Sequence, residues 1–256
     1  MEYTTYINGA TVPHGEILAW ERKRLAAVIS RFKGAGDTHG CDLDTRSSIL
    51  TAVKQTIGYE EIVRRLRVGL ALSSASAKVM NALSFGQRRV CVTEMVVQGF
   101  TAVEVAHGIE SLMLEHSAEH EIVNLGACPD HYVLRPLGCG RLEVIETTGG
   151  SPFPVQFFID YGSEKELSIA RDTAYPYQSA GVARLGDGTV IGGVRHQFRD
   201  EGSGFRARLA VEFPLIAPGY LIHQHQLHLA CEFGHWFQWL FACSQEKSPV
   251  GVSNTR

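Results

Sequence analysis

Phosphate-binding glycine loops, paired cysteines and long apolar runs are all missing from this chain, and each absence removes a class of function. No P-loop and no GxGxxG after a strand occurs, so nothing prepares a backbone cradle for a nucleotide. No GxSxG elbow occurs either, which removes the α/β-hydrolase nucleophile. Charge of one sign is in short supply: 24 Lys+Arg stand against 27 Asp+Glu, a formal net charge of −3. That balance gives no general attraction to nucleic acid or to an anionic membrane surface. No apolar run reaches the length of a bilayer span. The opening residues MEYTTYINGATVPHGEIL have neither the basic nor the apolar segment of a secretory signal. Six cysteines (Cys41, Cys91, Cys128, Cys139, Cys231, Cys243) are scattered without a CxxC pair. They read as reduced, mostly buried thiols, and the cytoplasm is the expected location.

What remains, 256 residues at 45% hydrophobic and 20% charged, describes a globular protein of one large domain, or one domain with an extension. Its most informative stretch lies near the C-terminus, GYLIHQHQLHLACEFGHWFQWLFAC from Gly219 to Cys243. Leu227, Ala230, Phe233, Phe237, Leu240 and Phe241 recur at helical spacing, which predicts one long helix of about 37 Å. His228 and Glu232 sit one turn apart on it, so both reach a single point beside the helix. An imidazole and a carboxylate offered this way suit a zinc site. The same pair also fits an amphipathic helix whose histidines are ordinary surface residues.

Residues 1–14 read as an irregular arm with Asn8-Gly9 and Pro13 as turn residues. Helices are predicted over Glu16–Phe32, Ser47–Ile57 and Glu60–Leu66, with Gly34–Asp42 as a loop between the first two. His39, Cys41 and Asp42 in that loop, and Arg64, Arg65 and Arg67 on the third helix, read as solvated groups rather than ligands. Arg88–Val97 is rich in β-branched residues and predicts a strand. Thr101 with Glu104 three residues on forms a capping box that opens a helix. Short strands follow over 121–127, 132–135, 141–148, 153–160, 180–184, 189–198 and 205–213, punctuated by Gly149-Gly150, Gly186-Asp187-Gly188 and the loop 201–204. Helices, a strand, a helix, many antiparallel strands and a long last helix make an α+β pattern, not a doubly wound one. A curved antiparallel sheet covered by that helix would enclose a pocket for a small molecule.

Three stretches carry the candidate chemistry: ACPDHYVLRP with His131, VRHQFRD with His196, and HLACEF with His228 and Glu232. In this order, with Thr93-Glu94-Met95 and the helix opening at Thr101, residues from about 88 to 241 resemble the diacetylphloroglucinol and phloretin hydrolase family. The resemblance implies a Bet v 1-like helix-grip fold: a curved antiparallel sheet wrapped on the long C-terminal helix. It also implies zinc-dependent cleavage of an acyl–aryl carbon–carbon bond. His131 matches the family's first zinc histidine. His196, Arg199 and Asp200 match its H-x-x-R-acidic strand, and His228, Glu232 and Phe233 match its helical H-x-x-x-E-aromatic motif.

The chain departs from the family in two places. The helix after Met95 lacks the family's tryptophans, and the position of a further glutamate ligand falls by register on Gln156, with Glu146 on the preceding strand as a substitute. An amide oxygen is a weaker zinc ligand than a carboxylate. The implied site is thus His131, His228, Glu232 and Gln156 around zinc, with His196 as the catalytic residue that manages the phenol proton. His196 also fits a core histidine in a strand. His225 and His235 read as solvent-exposed positions beside the pocket, with a place behind the metal ligands as the alternative, and His120 and Glu119 as rim residues. Trp236, Trp239, Phe157 and Phe158 are candidates to line an aromatic-binding cavity.

The expected organisation is an N-terminal helical extension over 1–86, a helix-grip catalytic domain over 87–247 and a flexible tail over 248–256. The extension either caps the cavity or forms a subunit contact, which leaves a homo-oligomer open. The expected partner is a small aromatic or polyketide-like molecule, with neither nucleic acid nor membrane. Two other readings of the same scaffold are a non-hydrolytic cyclase or isomerase, which Gln156 and the altered helix after Met95 would favour, and a carrier of a hydrophobic ligand.

Overall fold

The structure, a computed structural model, describes residues 1–32 and 40–247. His39, part of the loop before Asp42 and the tail 248–256 lie outside those residues. The element order is β1 (Tyr3–Ile7), β2 (Ala10–Val12), α1 (His14–Arg31), α2 (Leu43–Ile57), α3 (Tyr59–Leu83), β3 (Arg88–Gln98), α4 (Ala102–Leu114) and α5 (Ala118–Ala127). Then come β4 (His131–Gly138), β5 (Arg141–Glu146), β6 (Val155–Tyr161), β7 (Tyr177–Arg184), β8 (Val190–Glu201), β9 (Gly204–Pro214) and α6 (Gly219–Lys247). The fold is α+β. One nine-stranded sheet runs β2-β1-β3-β9-β8-β7-β6-β5-β4, and every pairing is antiparallel.

Alternation along the strands decides which side chains meet the last helix. Leu142 and Val144 of β5, Ile159 of β6, Phe198 of β8 and Leu209 of β9 share one core with α4 and with Phe233, Trp236 and Phe237 of α6. The opposite face of β4 and β5, through Tyr132, Val133 and Ile145, packs on α1, α2 and α3. At 29 residues, α6 is about 43 Å long, enough to run the length of the curled sheet. Its two ends are polar or half-buried while its middle, from Leu227 to Phe233, is buried without interruption.

Local signals fix the elements that bear on the site. The Thr101–Glu104 capping box forms as expected and starts α4, a contribution of about 1 kcal/mol. Asp200, one of the motif residues after His196, accepts a hydrogen bond from Ala102 N at 2.7 Å and so ties β8 to the same helix start. Asp42 caps α2 through Thr45 N, and Cys41 is exposed.

Three expectations are corrected. Residues 1–14 are not an irregular arm: Asn8-Gly9 turns a hairpin whose first strand pairs with β3, and positive φ at both turn residues suits that tight connection. Residues 121–127 are helical, because Ser117 caps the backbone of His120 and the stretch begins before the β-branched residues. The third helix runs to Leu83 rather than Leu66, since the small residues after Gly69 sustain helix without an apolar stripe to announce it. No helix among the described residues is long and apolar enough to cross a membrane.

Candidate metal centre and cavity

His131 opens β4 after the turn Cys128-Pro129-Asp130, and that turn is held from three sides. Arg24 of α1 grips the fully buried Asp130 carboxylate with two bonds of 2.6 and 2.8 Å. Lys54 of α2 donates to Pro129 O at 2.9 Å, and Thr147 N donates to Asp130 O at 3.1 Å. A bidentate guanidinium on a buried carboxylate fixes orientation as well as charge. The imidazole itself is oriented by α5: Nδ1 lies 2.8 Å from Asn124 O. A carbonyl can only accept, so Nδ1 carries a proton there and Nε2 is turned to the cluster.

That nitrogen meets the helical pair. His131 Nε2 lies 3.1 Å from His228 Nε2 and 3.3 Å from Glu232 Oε2, while His228 Nε2 and Glu232 Oε2 are 2.9 Å apart. Glu146, at the end of β5, brings Oε2 to 3.9 Å from both imidazoles. Its other oxygen accepts from Thr148 Oγ1 at 3.1 Å. All four residues are buried. Ligand atoms bound tetrahedrally at about 2.0–2.2 Å stand roughly 3.3–3.5 Å from each other, so this donor set fits a divalent cation. Two nitrogens and two carboxylates also match zinc by ligand type.

The charges follow from that crowding. Burial disfavours an ionised Glu232, but the bonds from His131 and His228 outweigh it and hold the carboxyl well below its usual range. Burial likewise opposes a charged His228, yet the neighbouring Cys128 and Glu146 raise its pKa well above the ordinary value. Glu146 is held above the usual carboxyl range by burial, with His228 and His131 pulling the other way. A Cys128 sulfur also lies within 4.8 Å of ring nitrogens of both His131 and His228.

Gln156 does not join this group. It pairs in register with Ile145, whereas Glu146 pairs with Val155, so Gln156 emerges on the face turned to the N-terminal helices. There its Nε2 donates to Glu143 Oε1 at 2.6 Å, beside the Tyr59 hydroxyl and Arg135, which bind the same carboxylate. The carboxylate near the histidines is Glu146, the substitute position.

The cluster sits at one wall of a cavity of about 120 Å³, of the order of an apolar site that admits a benzene-sized ring. Hydrocarbon dominates its lining, with Phe157, Ile159, Val194, Leu229, Phe233 and Trp236 among the walls. His196 of β8 lines it too and meets Phe233 edge-on at 4.9 Å. Its Nδ1 is buried with no hydrogen-bond partner, and burial pushes the imidazole down to about 4 against the pull of Glu232. His196 is therefore neutral near pH 7.

Of the remaining candidates, Trp236 and Phe157 line the cavity. Phe158 points away from it, under the Arg141 guanidinium at 4.7 Å, and Trp239 packs edge-on to His120 at 5.8 Å. His235 lies apart, 3.0 Å from the buried Glu21 of α1. Arg199 packs over Tyr175 and pairs with Glu201. His225 is not solvent-exposed: it is 5% exposed and lines the cavity. Sequence reasoning missed the Cys128 thiol and the Asn124 carbonyl. Only the parity of Glu146 with Leu142 and Val144 on β5 was there to be read.

No protein-family model matches the chain, and no curated protein sequence matches it. Among solved structures it is similar to Ara h 8.0201, with a TM-score of 0.41 and 10% identity over 61% of this chain and 99% of that one. It is also similar to protein Ms6760 from Mycobacterium smegmatis, with a TM-score of 0.36 and 11% identity over 61% of this chain and 91% of that one.

Proposed function

We propose that the chain is a metal-dependent hydrolase that cleaves the carbon–carbon bond between an acyl group and a phenolic ring of a small polyketide-type substrate. The observation that carries this reading is the convergence of His131, His228, Glu232 and Glu146 on one point at the wall of an apolar cavity that also holds His196. A divalent cation, which these four residues would hold, would supply Lewis acidity toward a ketone oxygen. The protein's own groups do the rest. The hydrocarbon walls take the ring and keep bulk water from it. His196, neutral and with its Nδ1 unpartnered in the protein, hydrogen-bonds the phenol and passes its proton to the ring carbon that leaves. One water adds its hydroxyl to the acyl carbon and returns its remaining proton to the phenol oxygen, giving the free acid and the arene. Asn124 O fixes the His131 ring so that one nitrogen always faces the cluster.

The placement of Glu146 near the histidines answers the first of the two motives for a cyclase, the carboxylate replaced by Gln156; the second, the helix after Met95 without the family's tryptophans, stands. The N-terminal extension, the cytoplasmic location and a homo-oligomeric state belong to the same proposal. Metal analysis of protein purified without chelator, compared with His228→Ala and Glu232→Ala, tests the first half. Stoichiometric zinc or another divalent metal is expected in the parent and loss in both variants. Release of a free carboxylic acid from an acylphloroglucinol tests the second half. Metal-free parent protein sinks the hydrolase, and ligand binding without turnover replaces it with a carrier.

A further inference from the structure

α6 carries a second pair of ligand-type side chains one turn apart, Cys231 and His235, offset by three residues from His228 and Glu232. The two pairs meet different neighbours. His228 and Glu232 reach His131 at the start of β4, whereas Cys231 and His235 line a separate groove of about 450 Å³ beside α1, together with Tyr3, His14 and Glu21. Glu21 faces that pair from α1. It is 1% exposed, and burying a carboxylate is costly unless a cation answers it. Among the described residues its hydrogen-bond partner is His235, with Nε2 3.0 Å from Oε1.

Cys231 closes a triangle with these two, since ligand atoms of Glu21, Cys231 and His235 all lie within 4.8 Å of one another. An ion pair between Glu21 and His235 has no need of a thiol at the same corner. A sulfur, an imidazole nitrogen and a carboxylate oxygen are together the donors of a borderline-soft dication, while Mg2+ and Ca2+ take oxygens. Three protein ligands beside a groove also leave one side open for water. The His235 side chain is 33% exposed, so an ion enters past the imidazole and meets the two buried ligands behind it. The hydrogen-bonded Cys128 thiol and burial hold the Cys231 thiol well above its usual pKa. An ion that binds there displaces that proton, as metals do from coordinating thiols.

We propose that Glu21, Cys231 and His235 form a second metal site, which takes zinc or a similar transition-metal dication and fastens α1 to α6. The site shares its helix with the His131–His228–Glu232–Glu146 cluster but none of its ligands. On this count the parent holds two dications and His228→Ala or Glu232→Ala holds one, the loss expected above being that of the cluster's own ion. Cys231→Ser isolates the cluster for measurements on its own zinc.

The test is titration of metal-stripped full-length protein with Co2+, read in the near ultraviolet, where a thiolate bound to cobalt gives a charge-transfer band that nitrogen and oxygen ligands do not. The parent should develop this band with one equivalent of cobalt per chain. The band should persist in Cys128→Ser, whose thiol lies near the other cluster, and in a His228→Ala chain that keeps the parent's circular dichroism. It should vanish in Cys231→Ser. His235→Gln should weaken cobalt uptake at the sulfur-bearing site at least about tenfold, given that even supporting groups are worth 10–100-fold. A parent without the band overturns the proposal with no variant needed, and leaves Glu21 and His235 as an ion pair. A band that survives Cys231→Ser, or that disappears in Cys128→Ser or in folded His228→Ala, overturns it too, as does unchanged affinity in His235→Gln. The band in His228→Ala owes nothing to the His131–His228 cluster, so failure of that cluster to bind metal is seen separately.

Discussion

The Nε2 atoms of His131 and His228 approach to 3.1 Å, although one residue starts a strand and the other lies mid-helix. Two lone pairs at that distance repel, and two N–H groups collide, so the pair must share a proton or a cation. Glu232, 2.9 Å from His228, favours that positive charge, and with Cys128 and Glu146 it raises the His228 pKa well above its ordinary value despite burial. Near pH 7 the metal-free pair therefore holds a proton that an incoming cation displaces. Zinc uptake should release about one proton, and apparent affinity should fall about tenfold for each pH unit below neutrality. Titration calorimetry in buffers of different ionisation enthalpy measures the number, and a value of zero contradicts the shared-proton description.

Glu146 and Gln156 make opposite predictions. Glu146→Gln removes a carboxylate 3.9 Å from both imidazoles and should weaken zinc binding at least about tenfold, given that even supporting groups are worth 10–100-fold. Gln156→Ala should leave zinc affinity unchanged, because its amide is committed to Glu143 on the other face of the sheet. Competition with a chromophoric chelator separates the two. Weakened binding in Gln156→Ala alone would restore the register expected from sequence.

The same pair shows how much was legible in advance. Strands with clear alternation, such as β3, and the capped start of α4 could be read locally because their signals lie within a few residues. The pairing of His228 with Glu232 was readable for the same reason, since one helical turn sets it. His131, 97 residues away, entered only through the order of motifs, because a sheet contact of that span leaves no mark in spacing. The β5–β6 register was open because the connection contains a turn at Gly149-Gly150 with positive φ at both residues and then Pro152 and Pro154, so counting from one strand to the next does not preserve the face. His225 was misplaced because helical position indicates a face, but not that Phe213, near the end of β9, covers it.

Lys54 supplies a pH-dependent test away from the cluster. Its ammonium is buried against the carbonyl oxygens of Pro129 and Leu125, and burial pushes its pKa from 10.5 down to about 8, with Cys128 and Asp130 partly opposing. Above pH 8 the folded protein releases this proton while the unfolded chain keeps it until about 10.5. The unfolded state thus binds more protons in that window, and this residue makes stability rise with pH through it, by up to about 3 kcal/mol in total at 1.36 kcal/mol per unit. The contribution is complete above the unfolded pKa and lost as pH falls through the folded one. Urea denaturation of the parent and of Lys54→Met between pH 7.5 and 10.5 should differ in slope, with the parent rising more steeply. Parallel curves would place the Lys54 pKa near its ordinary value.

Gly149 sets how closely the end of β5 approaches α6. Its φ is +52°, a left-handed conformation that costs a residue with a Cβ about 1–2 kcal/mol. A Cβ there would also collide with the Leu221 carbonyl oxygen and stand 3.1 Å from the His225 Cβ. Gly150 provides the control: its φ is +65°, but a Cβ would meet only ordinary contacts, with Gln224 Oε1 at 3.5 Å. Gly150→Ala should therefore show the backbone cost alone. Gly149→Ala should lose a further 1–3 kcal/mol or so, the range typical of overpacking, because α6 must retreat from the turn. That retreat also draws His228 and Glu232 from Glu146, so zinc affinity should drop in Gly149→Ala and hold in Gly150→Ala. Chemical denaturation with and without zinc measures both quantities. Two variants of equal stability and equal zinc affinity would mean that the turn does not set the distance between the strand and the helix.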